Sequence, residues 1–119
     1  ILKNNMRDKK IIFMGTPNIA AQHLNILIEK NLNIVGVFTQ PPRKKNRGMR
    51  IVESEVYQIA KKNNLKLYLP TSIDRNTIEL TKSLEPDLII VVAYGIILPA
   101  PFHDIPKYGS INVHVSLLP

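Results

Sequence analysis

Apolar and polar positions alternate along the chain in blocks that read as strands and helices in turn. Lys10-Ile11-Ile12-Phe13-Met14 is a short apolar run of the kind that fills a buried parallel strand. Gly15-Thr16-Pro17 breaks it. Thr16 is suited to cap a helix and Pro17 to open it. Ile19, Ala20, Leu24, Leu27 and Ile28 then fall on one helical face, and Asn31 suits the C-terminal cap. Asn33–Thr39 is the second predicted strand. After it, Pro41–Arg50 shows no apolar period and contains two prolines and a glycine, the composition of a loop.

Ser54 is placed to cap a second helix that buries Val56, Ile59 and Ala60 and ends at Asn63-Asn64. Leu65–Leu69 alternates like a strand near a sheet edge, and Pro70 stops it. Ile78, Thr81 and Leu84 are spaced for a third helix, opened by Asp74 or Asn76 and ended at Pro86. Leu88–Ala93 is six apolar residues in a row, mostly β-branched, which predicts a central strand covered on both faces. Tyr94-Gly95 turns out of it, a short helix runs from Pro99 through Phe102, and Pro106 closes that helix. Gly109-Ser110-Ile111 leads into a fifth strand. Strands alternating with helices predict an α/β fold, a doubly wound Rossmann-like parallel sheet with right-handed crossovers, cut off after the fifth strand.

The fifth strand carries candidate chemistry. In a strand, Asn112, His114 and Ser116 share one face and Val113 and Val115 the other. Ligands of open α/β sheets bind at the carboxyl ends of strands. An amide donor beside an imidazole suits attack on a carbonyl, where negative charge develops on oxygen. A buried strand with two satisfied polar residues has the same pattern, and the residues alone leave both readings open.

Composition narrows the chemistry. The 119 residues suit one domain or part of one. There is no cysteine, and the three histidines, His23, His103 and His114, show no ligand spacing, so no metal is expected and His23 reads as structural. Gly15 stands alone where a dinucleotide fingerprint needs three glycines, which disfavours nicotinamide and flavin cofactors. No apolar run approaches the ~20 residues of a membrane helix, and the N-terminus lacks a signal-peptide core. Residues 1–9 read as an N-terminal extension, with Met6 suited as a natural start, and the cytoplasm is the expected location. The net charge is +7, and five cations, Arg43, Lys44, Lys45, Arg47 and Arg50, fall in the loop, with no acid between Glu29 and Glu53. Such a loop either binds phosphates or is a solvated charge run.

Four blocks carry a resemblance through almost the whole chain. They are Ile11–Pro17, Val35–Pro41, Val91–Pro99, and Ile111–His114 with Ser116–Pro119. In these blocks residues 10–119 resemble the first part of the catalytic domain of the methionyl-tRNA formyltransferases. The last block is shared with the wider group of folate-dependent formyltransferases. The resemblance implies the formyltransferase fold and transfer of a formyl group from 10-formyltetrahydrofolate to initiator methionyl-tRNA by a monomer. It implies that Asn112 and His114 are catalytic, that Ser116, Leu117, Leu118 and Pro119 contact the folate, and that the backbone from Gly95 to Ile97 edges the pterin pocket. It implies that Arg43, Lys44, Lys45, Arg47 and Arg50 contact tRNA. Val115 departs from the family's glycine, and Asn18 and Pro42 stand where the family has acids. The family's catalytic aspartate falls beyond Pro119, so the chain on its own is expected to be inactive. Two alternatives are a formyltransferase acting on a nucleotide sugar or purine precursor, and a non-catalytic basic module that binds RNA.

Overall fold

A computed structural model describes residues 6–45 and 50–114. The main sheet has five parallel strands: β1 (Lys10–Gly15), β2 (Asn33–Phe38), β5 (Leu67–Tyr68), β6 (Leu88–Val92) and β7 (Ser110–Val113). Their order across the sheet is β5-β2-β1-β6-β7. The chain therefore winds outward from β1 in one direction, returns, and winds outward in the other, with the switch between β1 and β6. The predicted architecture holds, including β5 at an edge.

Three α-helices cover the sheet: α1 (Asn18–Glu29), α2 (Glu55–Lys62) and α3 (Arg75–Ser83). Phe13, Val37 and Val92 pack under Ala20, Ala21 and Leu24 of α1 and Val56 and Ala60 of α2. On the other face, Ile12, Met14, Phe38, Ile89 and Val91 pack with Tyr94 and Phe102, flanked by Ile73, Ile78 and Leu84 around α3. Two covered faces explain why β1 and β6 read as unbroken apolar runs, and Ile11 through Met14 are fully buried.

The ends of the three α-helices follow the sequence with one exception. Asn31 and Asn64 adopt left-handed backbone, at φ 59° and 57°, and each closes its helix with paired bonds, Leu32 N–H to Leu27 O and Leu65 N–H to Ala60 O among them. Asp74, not Asn76, caps α3: its carboxylate accepts from the Thr77 N–H at 2.9 Å and from the Thr77 hydroxyl at 2.9 Å. The exception is α1. Its N-cap is Pro17, which makes no side-chain bond, and Thr16 does not cap the helix because its hydroxyl is engaged across the sheet. The short helix after β6 is a 3-10 helix over Ala100–Asp104, starting one residue later than expected.

The segment read as a loop is partly strand. β3 (Arg43–Lys45) and β4 (Arg50–Val52) pair antiparallel, with Arg43 opposite Val52, Lys44 opposite Ile51 and Lys45 opposite Arg50. β3 is all cations and β4 adds only Ile51 and Val52, so the pair is joined by backbone bonds without an apolar period that would mark it as strand.

Candidate active site

The switch between β1 and β6 opens a crevice at the carboxyl ends of both strands, the place where open α/β sheets bind ligands. Gly15 ends β1 there. A Cβ on Gly15 would lie 2.6 Å from the Val92 carbonyl oxygen and 2.6 Å from the Ala20 Cβ, so only glycine lets β1, β6 and α1 converge. The next residue bridges the crevice: the Thr16 hydroxyl donates to the Tyr94 carbonyl oxygen at 2.8 Å. The Gln40 side chain donates to the same oxygen at 3.0 Å. The end of β2 is fixed in turn by Thr39, fully buried, whose hydroxyl lies 2.8 Å from the Ser54 hydroxyl. Ser54 also accepts from the Tyr57 N–H at 3.0 Å, which caps α2 as expected.

The turn leaving β6 is conformationally unusual. Ala93 has φ 49° and Gly95 φ 84°, both left-handed. A non-glycine residue in that region is uncommon, and such residues concentrate at functional sites. Ala93 lines two clefts, one on each side of the turn. The first, about 390 Å³, runs from Thr16 and Pro17 past Gln40, Pro41 and Arg43 to Val52–Glu55. The second, about 300 Å³, is lined by Val91, Tyr94, Gly95, Ile96, Leu98, His103 and Asn112. Its walls combine apolar side chains with an amide and an imidazole, so a ligand there would meet both packing surface and polar groups.

Asn112 lies within β7 and lines this second cleft, while Val113 packs into the opposite core. Asn112 and Val113 thus take opposite faces, as expected for these two residues. β7 ends at Val113, and His114 follows as an exposed residue just past the strand. Gly95 and Ile96 border the cleft that holds Asn112. Ser116, Leu117, Leu118 and Pro119, with Val115, lie outside the described residues, as does Arg47. Of the other basic positions, Arg43, Lys44 and Arg50 are exposed on the ribbon, and Lys45 belongs to β3. Arg43 reaches back to the crevice, where its guanidinium donates to the Gln40 side-chain oxygen.

Sequence reasoning missed four contributors: Gln40, Thr39, Ala93 and His103. Gln40 and Thr39 follow an apolar strand and act through partners 54 and 15 residues away, a relation no local pattern encodes. His103 lines the second cleft from the 3-10 helix, and its spacing gave no hint of that. His23, read as structural, is half-buried with Nδ1 2.8 Å from the Ile19 carbonyl one helical turn back.

Among ionisable groups the clearest shift is at Tyr94. Burial pushes its phenol well above the ordinary range, and its hydroxyl has no hydrogen-bond partner among the described residues. Asp74 lies on α3. The Thr77 N–H, and then the Thr77 hydroxyl, hold its carboxyl below the usual value. No group of three or more potential metal ligands occurs among the described residues, and no helix there is long and apolar enough to cross a membrane.

Comparison with known proteins agrees with this geometry. Residues 9–119 match the family described as formyl transferase. The chain is 50% identical over 112 residues to the methionyl-tRNA formyltransferase of Clostridium novyi (strain NT), a match covering 92% of this chain and 36% of that protein. It is 47% identical over 116 residues to the enzyme of that name from Francisella tularensis subsp. mediasiatica (strain FSC147), covering 96% and 37%. It is 50% identical over 111 residues to that of Clostridioides difficile (strain 630), covering 92% and 36%. The chain thus spans a little over a third of the length of these relatives.

Proposed function

The chain belongs to the formyl transferase family, and from that premise we propose that it forms the first part of the catalytic domain of a methionyl-tRNA formyltransferase. The protein would transfer a formyl group from 10-formyltetrahydrofolate to the α-amino group of methionine on initiator tRNA, at the start of translation. The observation that carries the reading is 50% identity to a protein of that name over 92% of the chain. A switch-point cleft that gathers Asn112 with the Gly95-Ile96 backbone agrees with it. The same reading makes the protein a cytoplasmic monomer.

The roles follow from the side chains. The donor supplies a formyl carbon bonded to a nitrogen that can leave. Asn112 donates its amide N–H to the formyl oxygen, where charge collects as the methionine amine adds to the carbon. His114 accepts the proton that the amine sheds and returns it to the departing nitrogen. The new C–N bond thus forms as the old one breaks, with no net proton gained or lost. In this reading Ser116, Leu117, Leu118 and Pro119 contact the folate donor. Arg43, Lys44, Lys45, Arg47 and Arg50 take the phosphates of the tRNA acceptor end, which gives affinity that falls steeply with salt.

The test is formyl transfer by the intact protein. Methionyl-tRNA is expected to be formylated, and Asn112→Ala and His114→Ala are each expected to lower kcat/KM about a hundredfold or more, with unfolding midpoints unchanged. Transfer to a nucleotide sugar or purine precursor in place of methionyl-tRNA would refute the substrate. An unaltered rate in both variants would refute the roles.

A further inference from the structure

Gln40 lies where three parts of the crevice meet. It follows β2, its side chain reaches the turn after β6, and Pro41-Pro42 lead from it into the cationic ribbon. Both ends of its amide are used. Nε2 donates to the Tyr94 carbonyl oxygen at 3.0 Å, and Oε1 accepts from the Arg43 guanidinium. The Gln40 backbone N–H also reaches the Thr16 hydroxyl at 3.4 Å. Gly95 makes the space. A Cβ there would fall inside the van der Waals envelope of Gln40 Nε2, and the φ of 84° suits glycine besides.

We propose that Gln40 is a positioning residue for the anionic substrate: it holds the Arg43 guanidinium at the crevice so that a backbone phosphate meets a cation already set in place. This rests on the reading of the site as one that takes tRNA. An amide is well suited to the task. Its oxygen occupies one of the five guanidinium donors, and it leaves the charge unneutralised. The ion pairs among the described residues, Lys10–Glu85 and Lys82–Glu79, do not include Arg43. Arg43 is also exposed, so its remaining donors can reach a phosphate.

The surroundings fit an attachment point more than an enclosed phosphate pocket. Gln40, Pro41 and Arg43 form the wall between the cleft at Thr16 and a third cleft of about 420 Å³ that extends to Thr71 and Ile96. The first cleft also carries Glu53 and Glu55, whose carboxylates disfavour an anion within it. Through the Tyr94 carbonyl, the residue that holds Arg43 also touches the turn bordering the Asn112 cleft. Phosphate binding at the ribbon is thereby registered against the place where the formyl group would be transferred. A free arginine loses rotamer freedom when it binds, and an arginine already held loses less.

The experiment is a double-mutant cycle on the intact protein, read as affinity for unfractionated tRNA at several salt concentrations. Gln40→Ala is expected to weaken binding about fivefold with the salt slope unchanged, since every phosphate contact remains available. Arg43→Ala is expected to weaken it about tenfold and to reduce the slope by about one contact. The double variant should bind no more weakly than Arg43→Ala, because Gln40 acts through Arg43. In turnover, Gln40→Ala should raise KM for methionyl-tRNA and leave kcat within about twofold. Effects that multiply in the double variant, or unaltered affinity in Gln40→Ala, overturn the proposal. If Gln40→Ala does not fold, Gln40→Glu carries the test. It keeps the contact to Arg43 but neutralises it and cannot donate to Tyr94, so unchanged or tighter binding overturns the proposal. A wild type that binds tRNA but transfers no formyl group overturns the catalytic reading and leaves the cycle intact, whereas a wild type that binds no tRNA overturns the proposal itself.

Discussion

Two glycines in nearly the same backbone conformation allow the packing at Gln40 to be weighed against backbone strain. Gly95 has φ 84° and Gly109 φ 88°, but a Cβ on Gly95 would collide with Gln40 Nε2, while one on Gly109 would meet nothing within 4 Å. Alanine in the left-handed region costs about 1–2 kcal/mol at either site. The loss of unfolded-state entropy on replacing glycine, worth about 0.4–1 kcal/mol in the other direction, is common to both. At Gly95 the flexible end of Gln40 must also move away, breaking its bond to the Tyr94 carbonyl, at a net cost of about 0.5–1.5 kcal/mol. Gly95→Ala is therefore expected to destabilise the intact protein by about 1 kcal/mol more than Gly109→Ala. Urea unfolding followed by circular dichroism measures both, with the slope of free energy against urea checked for constancy. In a Gln40→Ala background the excess should vanish, since the clash and the bond are both gone. Equal destabilisation by the two alanines, or an excess that survives in that background, would show that Gln40 is not held against the turn.

Tyr94→Phe removes a buried hydroxyl that has no partner among the described residues and keeps the ring that packs in the core. Urea unfolding should show unchanged stability or a gain of up to about 1 kcal/mol, and a loss larger than that would reveal a partner for the hydroxyl. Asp74 gives a pH signature. Its carboxyl is lowered from 3.8 in the folded protein, so its stabilising effect is complete above that value and is lost as pH falls through the lower folded value. Asp74→Asn, which keeps a capping oxygen but cannot titrate, should unfold with a shallower acid dependence below about pH 4. Identical acid profiles would show that the cap does not couple to protonation.

The centre of the sheet was legible because β1 and β6 are covered on both faces, and burial imposes apolar runs such as Ile11–Met14 and Leu88–Val92. Asn31, Asn64 and Ser54 were legible because caps use few residue types for local reasons. The ribbon was not, because Arg43–Lys45 and Arg50–Val52 are joined by main-chain bonds that leave no mark in side-chain chemistry. Thr16 misled for a different reason. Its hydroxyl could serve a helix end by local rules, yet the crevice brings a carbonyl from 78 residues away within 2.8 Å. At the candidate site, Asn112 was legible from strand alternation, and its cleft partners Ala93 and His103 were not. They depend on how the turn after β6 and the 3-10 helix fold back over the sheet.

The winding of the sheet sets a timetable for the newly made chain. β1 gains its partner β2 early, but the opposite edge of β1 pairs with β6, and each paired residue there waits for one 77 positions later, Gly15 for Val92 among them. The Lys10 N–H and the Asp87 carboxylate close the far end of that seam at 2.8 Å across the same interval. At about 5–20 residues per second, synthesis leaves that edge unpartnered for roughly 4–15 s. During that time Ile11–Met14 is an apolar strand with an open row of backbone donors and acceptors, the feature most prone to mispairing with another chain. Late arrival of the central partner leads us to expect that yield varies with translation speed and with shielding of the first strand, separately from the stability of the finished sheet.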